Sequence, residues 1–329
     1  MSGVVQKSNP MIRLQDWLWD CICVASVIGI WPRFIETQYL ALTRLTLPIS
    51  GLTDALAGLK ILHFSDLHWG PQLSSHFLKR LSSKINQTQP DLIVYTGDFL
   101  IRSHLHQAEE LRQFLCSLQA SVGCFTVLGN HDYQNFVSVN AQGDYDMDRA
   151  SRSSNIVKGF KRLFSPSVPL TKKVTSAVKQ IDYHAELLKL LAQTPFKLLN
   201  NTSQLVPYHG DWINICGLEE YTLGRCHVDQ AFLHYQKQYP GIILLHNPDA
   251  IPLLTSMPGD LILAGHTHGG QVNLPGLWQK FTQMEQPQFK RGLKKLGKKW
   301  GYINRGISGA LPFRWFSTPE LTLFTLQKE

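Results

Sequence analysis

Two histidines and three glycines crowd the stretch LAGHTHGGQV, residues 263–272. His266 and His268 follow an apolar run, so they come at the end of a predicted strand. Two imidazoles in this spacing can reach one point only if the backbone bends sharply, and the neighbouring glycines permit such a bend. An exposed glycine-rich turn explains the stretch equally well, so the rest of the chain must decide.

Side chains that can bind a metal also follow the other predicted strands. These are Asp66, His68, Asp98, Asn130, His131, Asp132 and His246. Taken singly, an Asp or His at a strand end is more often a cap or turn residue. Because the carboxyl ends of parallel strands meet at one edge, we expect all of them at one edge of one sheet. Nitrogen and oxygen ligands without a thiolate favour Mn²⁺, Fe or Zn²⁺ over Mg²⁺ or Ca²⁺.

The number of ligands predicts two ions that share one carboxylate. Asp98 can bridge them, since its two oxygens can hold ions about 3.5 to 4 Å apart. Each ion then needs three further side chains. We expect Asp66, His68 and one of the histidines of residues 263–272 at the first ion, and Asn130, His246 and the other histidine at the second. Such a centre clamps a phosphoryl oxygen and lowers the pKa of a bound water, as the hydrolysis of a phosphate ester requires.

From residue 59 onward the chain alternates apolar runs with amphipathic stretches, which predicts an α/β fold with a largely parallel sheet. The stretch SSHFLKRLSSKI has its apolar residues on one helical face, and Ser74 or Ser75 is a suitable N-cap. We also expect a helix over VDQAFLHYQKQ, residues 228–238, and a final strand over ELTLFTLQ.

Composition indicates a folded protein with anionic partners. The chain of 329 residues is 43% hydrophobic and carries a formal net charge of +8, which excludes a disordered chain. The positive balance suits nucleic acid, phosphate esters or an acidic membrane surface and does not choose among them. The six cysteines form no CxxC pair, and Cys124 and Cys216 lie in apolar strand-like runs, where we expect reduced core residues. This favours a reducing compartment.

The N-terminal stretch WLWDCICVASVIGIWPR resembles a membrane-associating segment. Its continuous apolar run, Cys21 to Trp31, is shorter than the roughly 20 residues that a spanning helix needs. We therefore favour an anchor in the membrane interface, with a core helix and an uncleaved signal sequence as the alternatives. This predicts a membrane-associating segment over residues 1–50, followed by a catalytic domain over residues 55–329.

A helical insertion is predicted over about residues 135–192. One face of its basic stretch is apolar and consists of Ile156, Val157, Phe160, Leu163 and Phe164. The other face is basic and consists of Lys158, Lys161 and Arg162. A cationic amphipathic helix is typical of a membrane surface or a lipid-facing site. A helix packed on the main core with solvated lysines is the alternative.

The series DxH, GD, GNHD, a lone His and GHTH runs in this order over residues 60–270 and resembles the calcineurin-like metallophosphoesterase family. The C-terminal NRGISGALPFRW and PELTLFTL are similar to its bacterial membrane-associated branch. The resemblance implies a four-layer αββα sandwich and two divalent ions. Mn²⁺ is the metal that we expect, with Fe or Zn²⁺ as alternatives. It assigns one ion to Asp66, His68, Asp98 and His268, and the other to Asp98, Asn130, His246 and His266. It also implies that His131 is catalytic, with Asp132 as its orienting partner.

The same resemblance implies a lipid-linked nucleotide as substrate. The implied reaction cleaves the pyrophosphate bond of UDP-2,3-diacylglucosamine to UMP and 2,3-diacylglucosamine 1-phosphate in lipid A synthesis. The more widespread enzyme for this step has Arg where this chain has His131, so the motifs alone do not transfer the substrate. The alternatives are a broad phosphodiesterase for cyclic nucleotides or phospholipids, and a non-catalytic scaffold of the same fold.

Two arginines are candidates for binding a substrate phosphate. Arg102 follows Asp98 by four residues, and Arg305 lies in the C-terminal pattern. For Arg305 the alternatives are a helix cap or an ion pair with Glu320.

The expected location is the cytoplasmic face of the inner membrane, in peripheral contact with anionic lipid and without nucleic acid as a partner. The basic run KRGLKKLGKKW, residues 290–300, is expected near the site against anionic headgroups. A solvated charged face is the alternative for this run.

Overall fold

Two six-stranded sheets form the centre of the fold. The computed structural model describes residues 10–148, 164, 168–309 and 311–329, with side chains from Leu14 onward. The first sheet has the strand order β1-β14-β2-β3-β4-β7. These strands are Ala41–Ile49, Glu320–Lys328, Lys60–Phe64, Leu92–Thr96, Gly123–Val127 and Phe196–Leu198. The strands β2, β3, β4 and β7 are parallel, as their continuous apolar runs predict, while β14 is antiparallel to β2.

The second sheet has the strand order β12-β13-β11-β10-β9-β8. These strands are Gly292–Leu296, Lys299–Ile303, Leu261–Ala264, Gly241–Leu244, Asp211–Gly217 and Thr202–Tyr208. A separate two-stranded sheet pairs β5, Val137–Val139, with β6, Tyr145–Met147.

The two large sheets pack face to face with helices on their outer faces. Alternate residues of each buried strand face inward and outward, so that Ile61 lies between the sheets and Leu62 lies under the helices. Fully burying one such side chain stabilises the fold by about 1.5–3 kcal/mol. The αββα sandwich is therefore confirmed, whereas the expectation that all ligands lie on one sheet is wrong.

Seven α-helices lie among the described residues. They are α1 Pro10–Ala25, α2 Ser75–Asn86, α3 Ala108–Cys116, α4 Ser176–Lys179, α5 Ala185–Leu191, α6 Val228–Ala231 and α7 Trp278–Phe281. Short 3₁₀ turns cover Glu36–Gln38, Tyr221–Leu223, Pro248–Leu254, His268–Gly270 and Pro287–Phe289. The helices α2, α3 and α5 cover the first sheet, and α6 with the turn at Pro248–Leu254 covers the second.

Two of the predicted helices have different outcomes. Ser74 caps α2, since its side chain accepts a hydrogen bond from the N–H of Phe77. The predicted helix over residues 228–238 ends already at Ala231. The side chain of Asn214 binds the main chain of Gln236 as donor and acceptor, and this holds the following residues in a loop instead.

The N-terminal helix is longer than the sequence indicates. After α1 it continues in wider π-helical turns over Ser26–Ile35. Residues Leu14–Gln38 form one helix of 25 residues that is long and apolar enough to cross a membrane, by length and composition. The expectation of a run too short to span is therefore wrong. The alternative of a core helix is also wrong, because only 6% of its apolar window is buried.

The apolar side chains of this helix surround its axis. The exposed ones are Leu14, Trp17, Leu18, Trp19, Ile22, Val24, Val27, Ile28, Ile30 and Trp31. They occur in every turn from Leu14 to Trp31 and leave no wide polar face, whereas a helix that lies in the membrane interface has one.

The strand β1 of the first sheet lies within residues 1–50, which the sequence analysis predicts to be a membrane-associating segment. All nine residues of β1 pair in parallel with β14, from Ala41 opposite Glu320 onward. In turn, Thr322 of β14 lies opposite His63 of β2. The helix therefore enters the first sheet at the edge where β2 ends, two residues before Asp66.

The insertion over residues 135–192 is only partly helical. Its described part contains the β5–β6 hairpin and the short helices α4 and α5. The amphipathic stretch over residues 156–164 lies outside the described residues, apart from the exposed Phe164.

Candidate metal centre

The loops at one end of both sheets bring the predicted ligands together. Strands β2, β3 and β4 of the first sheet are followed by Asp66, His68, Asp98 and Asn130. Strands β10 and β11 of the second sheet are followed by His246, His266 and His268. The two histidines of the GHTH stretch are partly buried, and the other five side chains are buried.

The first group of donor atoms surrounds Nε2 of His68. This atom lies 3.3 Å from Nε2 of His268 and 3.4 Å from Oδ2 of Asp98. Oδ1 of Asp66 lies 3.9 Å from the same atom and 3.7 Å from Nε2 of His268. Asp66, His68 and His268 therefore form one group of donors, and Asp98 is joined to it through His68. These are the four residues that the family resemblance assigns to one ion.

The second group surrounds Nδ1 of His266. This atom lies 3.1 Å from Oδ1 of Asn130 and 3.1 Å from Nε2 of His246. Nε2 of His246 in turn lies 3.3 Å from Oδ2 of Asp98. Asp98 is thus common to both groups, as a bridging carboxylate must be.

Main-chain carbonyls orient two of the imidazoles for ligation. Nδ1 of His68 lies 3.0 Å from the carbonyl oxygen of Leu100, and Nδ1 of His246 lies 2.6 Å from that of Thr96. A carbonyl oxygen only accepts, so each Nδ1 carries the proton and donates it. The Nε2 lone pairs of both rings are then free to bind a cation.

The amide of Asn130 is oriented in the same way. Its Nδ2 donates to the carbonyl oxygen of Val137 at 2.8 Å, which turns Oδ1 toward the centre. The β5–β6 hairpin that follows this loop therefore fixes the neutral oxygen ligand.

Electrostatics favour a cation between these groups. Despite burial, the neighbouring imidazoles of His246, His131 and His68 hold the pKa of Asp98 well below its usual range. Burial opposes a charge on His246, yet the carboxylate of Asp98 raises the pKa of this imidazole well above its ordinary value. Burial and the adjacent His246 lower the pKa of His266 to about 3. The carboxylate of Asp98 thus favours a positive charge beside it, which a proton on His246 or a bound cation can supply, while His266 keeps its lone pair. These residues fit a pair of divalent ions.

The backbone of the ligands is unusual. Five of them, Asp66, His68, Asp98, His266 and His268, have left-handed φ angles between 43° and 69°. This conformation is uncommon for residues other than glycine and collects at functional sites, where the surrounding structure maintains it. It turns each side chain sharply from the strand end into the centre.

Glycines at the strand ends make room for the carboxylates. A Cβ at Gly265 would lie 2.6 Å from Oδ2 of Asp66 and would collide with Oγ of Ser65. A Cβ at Gly129 would collide with Oδ1 of Asp98. Gly265 of the GHTH stretch is therefore required because Ser65 and Asp66 approach its backbone closely, more than because the chain bends there.

His131 lies beside the centre with a fixed proton position. Its Nδ1 accepts a hydrogen bond of 2.8 Å from the main-chain N–H of Arg102. In the neutral ring the proton is therefore on Nε2, which lies 3.9 Å from Oδ2 of Asp98. Burial lowers the pKa of His131 well below its usual value, so the neutral ring is the stable form.

Asp132 does not have the expected role of orienting His131. Its carboxylate accepts main-chain hydrogen bonds from Asp98 at 2.7 Å, Leu100 at 3.0 Å and Gly129 at 3.0 Å. Because these bonds join the loops after β3 and β4, Asp132 fixes the position of Asp98 instead. The orienting partner of His131 is the main chain of Arg102.

The two arginines proposed for phosphate binding differ in what the structure shows. Nη2 of Arg305 lies 3.2 Å from Oε1 of Glu320, which is the ion pair considered as the alternative. For Arg102, the structure shows a hydrogen bond from its main-chain N–H to His131. Contact of its side chain with a substrate phosphate stays a prediction.

One residue near the centre was not predicted from the sequence. Arg314 is only 1% exposed, and its Nη2 lies 3.3 Å from Nδ1 of His268. The stretch PFRW contains this arginine, but nothing in the sequence distinguishes a buried arginine from the many exposed ones.

The basic run of residues 290–300 is not near the centre as a whole. It forms the β12–β13 hairpin, in which Gly292 lies opposite Ile303 at the edge of the metal centre. Leu296 and Lys299 are paired at the opposite end of the strands. Only the first residues of the run, Lys290 and Arg291, therefore lie at the edge that carries the centre.

Several known proteins are similar in sequence to this chain over most of its length. The profile of the calcineurin-like phosphoesterase family matches residues 59–270. The UDP-2,3-diacylglucosamine pyrophosphatase LpxG of Chlamydia muridarum is 36% identical, over 89% of this chain and 91% of its own. The Chlamydia trachomatis protein of the same name is 35% identical over the same shares. The uncharacterized metallophosphoesterase YkuE of Bacillus subtilis is 27% identical, over 90% of this chain and 89% of its own.

Proposed function

We propose that this chain, which belongs to the calcineurin-like phosphoesterase family, hydrolyses the pyrophosphate bond of UDP-2,3-diacylglucosamine. The products would be UMP and 2,3-diacylglucosamine 1-phosphate, a step in lipid A synthesis. The names of both Chlamydia relatives support this substrate. The observation that carries the proposal is the position of the apolar helix, which enters the sandwich at the edge that holds the metal centre.

Two divalent ions, which we propose to be Mn²⁺, would bind at the two groups of donors. Asp66, His68 and His268 would hold one ion, and Asn130, His246 and His266 would hold the other, with Asp98 between them. When bound, the ions supply Lewis acidity to the phosphoryl group and activate water.

His131 would act on the substrate through Nε2. This atom carries the proton of the neutral ring and faces Asp98, so it can donate a hydrogen bond to a phosphoryl oxygen as charge develops there. Its ring packs on Phe136, with the two ring centroids 4.0 Å apart, which limits its movement. The binding of a substrate phosphate by Arg102 or Arg305 remains part of the proposal.

We propose that the N-terminal helix inserts into the inner membrane and holds the catalytic edge at its cytoplasmic face. Apolar side chains all around the helix support insertion over the peripheral placement that the sequence suggested. All six cysteines lie among the described residues and are free thiols, which agrees with a reducing compartment. A lipid-linked pyrophosphate would then reach the centre without leaving the bilayer surface.

A basic cavity beside the helix supports contact with anionic lipid. Tyr39, Arg44 and Lys84 line a cavity of about 590 Å³ directly after the helix ends. Burial and the neighbouring charges of Arg80 and Arg44 lower the pKa of Lys84, so positive charge is concentrated at this place. Each cation near an anionic membrane surface contributes about 1 kcal/mol to binding.

A comparison of three substrates tests the proposal. We expect Mn²⁺-dependent cleavage of UDP-2,3-diacylglucosamine in mixed micelles with a kcat/KM at least 10²-fold above that for an aryl phosphodiester. The same comparison with UDP-N-acetylglucosamine, which lacks both long acyl chains, shows how much of the preference comes from the lipid. Equal kcat/KM values for the three compounds would favour a broad phosphodiesterase instead.

A further inference from the structure

The end of the N-terminal helix is bound to a loop of the catalytic domain. Glu36 is only 3% exposed, and its carboxylate accepts hydrogen bonds from the N–H groups of Phe316 at 3.0 Å and Ser317 at 2.6 Å. One turn earlier in the helix, the carbonyl oxygen of Pro32 accepts a bond of 2.9 Å from the N–H of Arg314. The helix is therefore fixed to residues 314–318 at two points.

The same loop fixes a metal ligand from the other side. Ser317 donates a side-chain hydrogen bond to the carbonyl oxygen of His268. Arg314 lies against the imidazole of His268, with Nη2 at 3.3 Å from Nδ1. Arg314 also donates to three carbonyl oxygens, from Nη1 to those of Arg305 at 2.7 Å and Ser317 at 2.9 Å, and from Nη2 to that of Ser308.

The charge of Arg314 links the helix to the metal centre. Arg314 is buried, and an arginine guanidinium keeps its charge in proteins. The carboxylates of Asp66 and Glu36 favour that charge. Because Asp66 belongs to the metal centre and Glu36 to the helix, the buried cation depends on both.

We propose that the helix end completes the metal centre, with Glu36 as a positioning residue for the ion held by Asp66, His68 and His268. Glu36 holds residues 314–318 where Arg314 and Ser317 fix the imidazole and the main chain of His268. The helix is then a structural part of the centre as well as a membrane anchor. This inference rests on the two-ion centre of the proposed function and not on its substrate.

The other ion provides an internal control. None of the contacts described for residues 314–318 reaches Asn130, His246 or His266. Loss of the helix contact should therefore weaken one ion and spare the other, whereas general damage to the fold would weaken both.

The variant Glu36→Gln tests the inference in the full-length protein. Gln keeps the size of the side chain, but its amide N–H₂ faces an N–H donor of the loop, so one hydrogen bond is lost. Changes in the partners of metal ligands typically cost 10- to 100-fold in affinity. In calorimetric Mn²⁺ titrations we expect one of the two binding steps to weaken by about tenfold or more and the other to change by less than about twofold.

Hydrogen exchange gives a readout that needs no metal. The amides of Phe316 and Ser317 should exchange faster in Glu36→Gln, while those of the β3 strand should not change. The matched control is Glu109→Gln, which removes a surface carboxylate paired with Arg112 at 2.6 Å. It should change neither the Mn²⁺ titration nor exchange in residues 314–318.

Two wild-type binding steps in Glu36→Gln, or equal weakening of both, would overturn the inference. If Glu36→Gln does not fold, Ser317→Ala decides, since it leaves the main-chain bond to Glu36 and removes only the bond to His268. It must weaken one Mn²⁺ binding step and spare the other, and two wild-type steps would overturn the inference. A wild-type protein that binds two ions but leaves UDP-2,3-diacylglucosamine intact would refute the proposed substrate and leave this inference standing.

Discussion

The main-chain N–H of Arg102 donates a hydrogen bond of 2.8 Å to Nδ1 of His131 and thereby places the ring's proton on Nε2. The side chain of Arg102 was the feature that the sequence suggested, yet its main chain sets the tautomer of the catalytic candidate. A substitution of Arg102 that preserves the loop should therefore leave the orientation of His131 unchanged.

Replacement of His131 should slow the reaction without removing the ions. We expect His131→Ala to lower kcat by about 10²- to 10⁴-fold, because the proton donor on Nε2 is lost. Metal analysis should still give two ions per chain. His76→Ala, which removes an exposed histidine of α2, is the control and should keep full activity. An unchanged kcat in His131→Ala would refute the proposed role.

Removal of divalent ions should destabilise the fold. Buried carboxylates and five left-handed ligand residues lie at the centre, and bound ions compensate for both. A ligand at 1,000 times its Kd stabilises a protein by about 4 kcal/mol. We expect EDTA to lower the Tm and added Mn²⁺ to restore it. The variant Asp98→Ala should show a Tm that is independent of EDTA, and a wild-type Tm that EDTA does not change would contradict the account.

Deletion of residues 1–31 should separate anchoring from catalysis. The shortened chain keeps Pro32 and Glu36, so its metal centre should still bind two ions. We expect it to leave the membrane fraction and to cleave an aryl phosphodiester within about threefold of the full chain. Cleavage of UDP-2,3-diacylglucosamine in vesicles should fall by about tenfold or more, because the enzyme and the lipid no longer share a surface. Full activity on vesicles would show that the helix does not serve the lipid substrate.

Loss of the α2 cap should cost stability but not activity. Ser74 accepts a hydrogen bond from the N–H of Phe77 at 3.1 Å. Ser74→Ala should lower the free energy of unfolding by about 0.5–2 kcal/mol in urea denaturation. Ser83→Ala, at an exposed position of the same helix, should change it by less than about 0.5 kcal/mol. Equal losses in the two variants would show that the cap contributes nothing specific.

Much of the site was predictable because its ligands follow recognisable strands. Each of Asp66, Asp98 and His246 comes two residues after the end of a strand, and the order of the motifs indicates the family. The distribution of these strands over two sheets was not predictable from alternation alone, since a buried strand reads the same in either sheet. The partners Leu100 and Thr96 were also hidden, because they act through main-chain carbonyls that any residue type provides.

The N-terminal region shows a second limit. The count of continuous apolar residues excluded Trp17 and Trp19 because Asp20 follows them, although the helix runs through this position. The docking of Glu36 on residues 314–318 joins positions about 280 residues apart. No local pattern contains such a contact, so the link between the helix and the metal centre required the structure.

Product analysis with UDP-2,3-diacylglucosamine tests the central claim most directly. The Mn²⁺-loaded protein and its Asp98→Ala variant would be incubated with this lipid, and the products identified by mass spectrometry. The account predicts UMP and 2,3-diacylglucosamine 1-phosphate in equal amounts from the wild-type protein and neither from the variant, which lacks a ligand of both ions. Unchanged lipid with the wild-type protein, or full Mn²⁺-dependent turnover by Asp98→Ala, would contradict it.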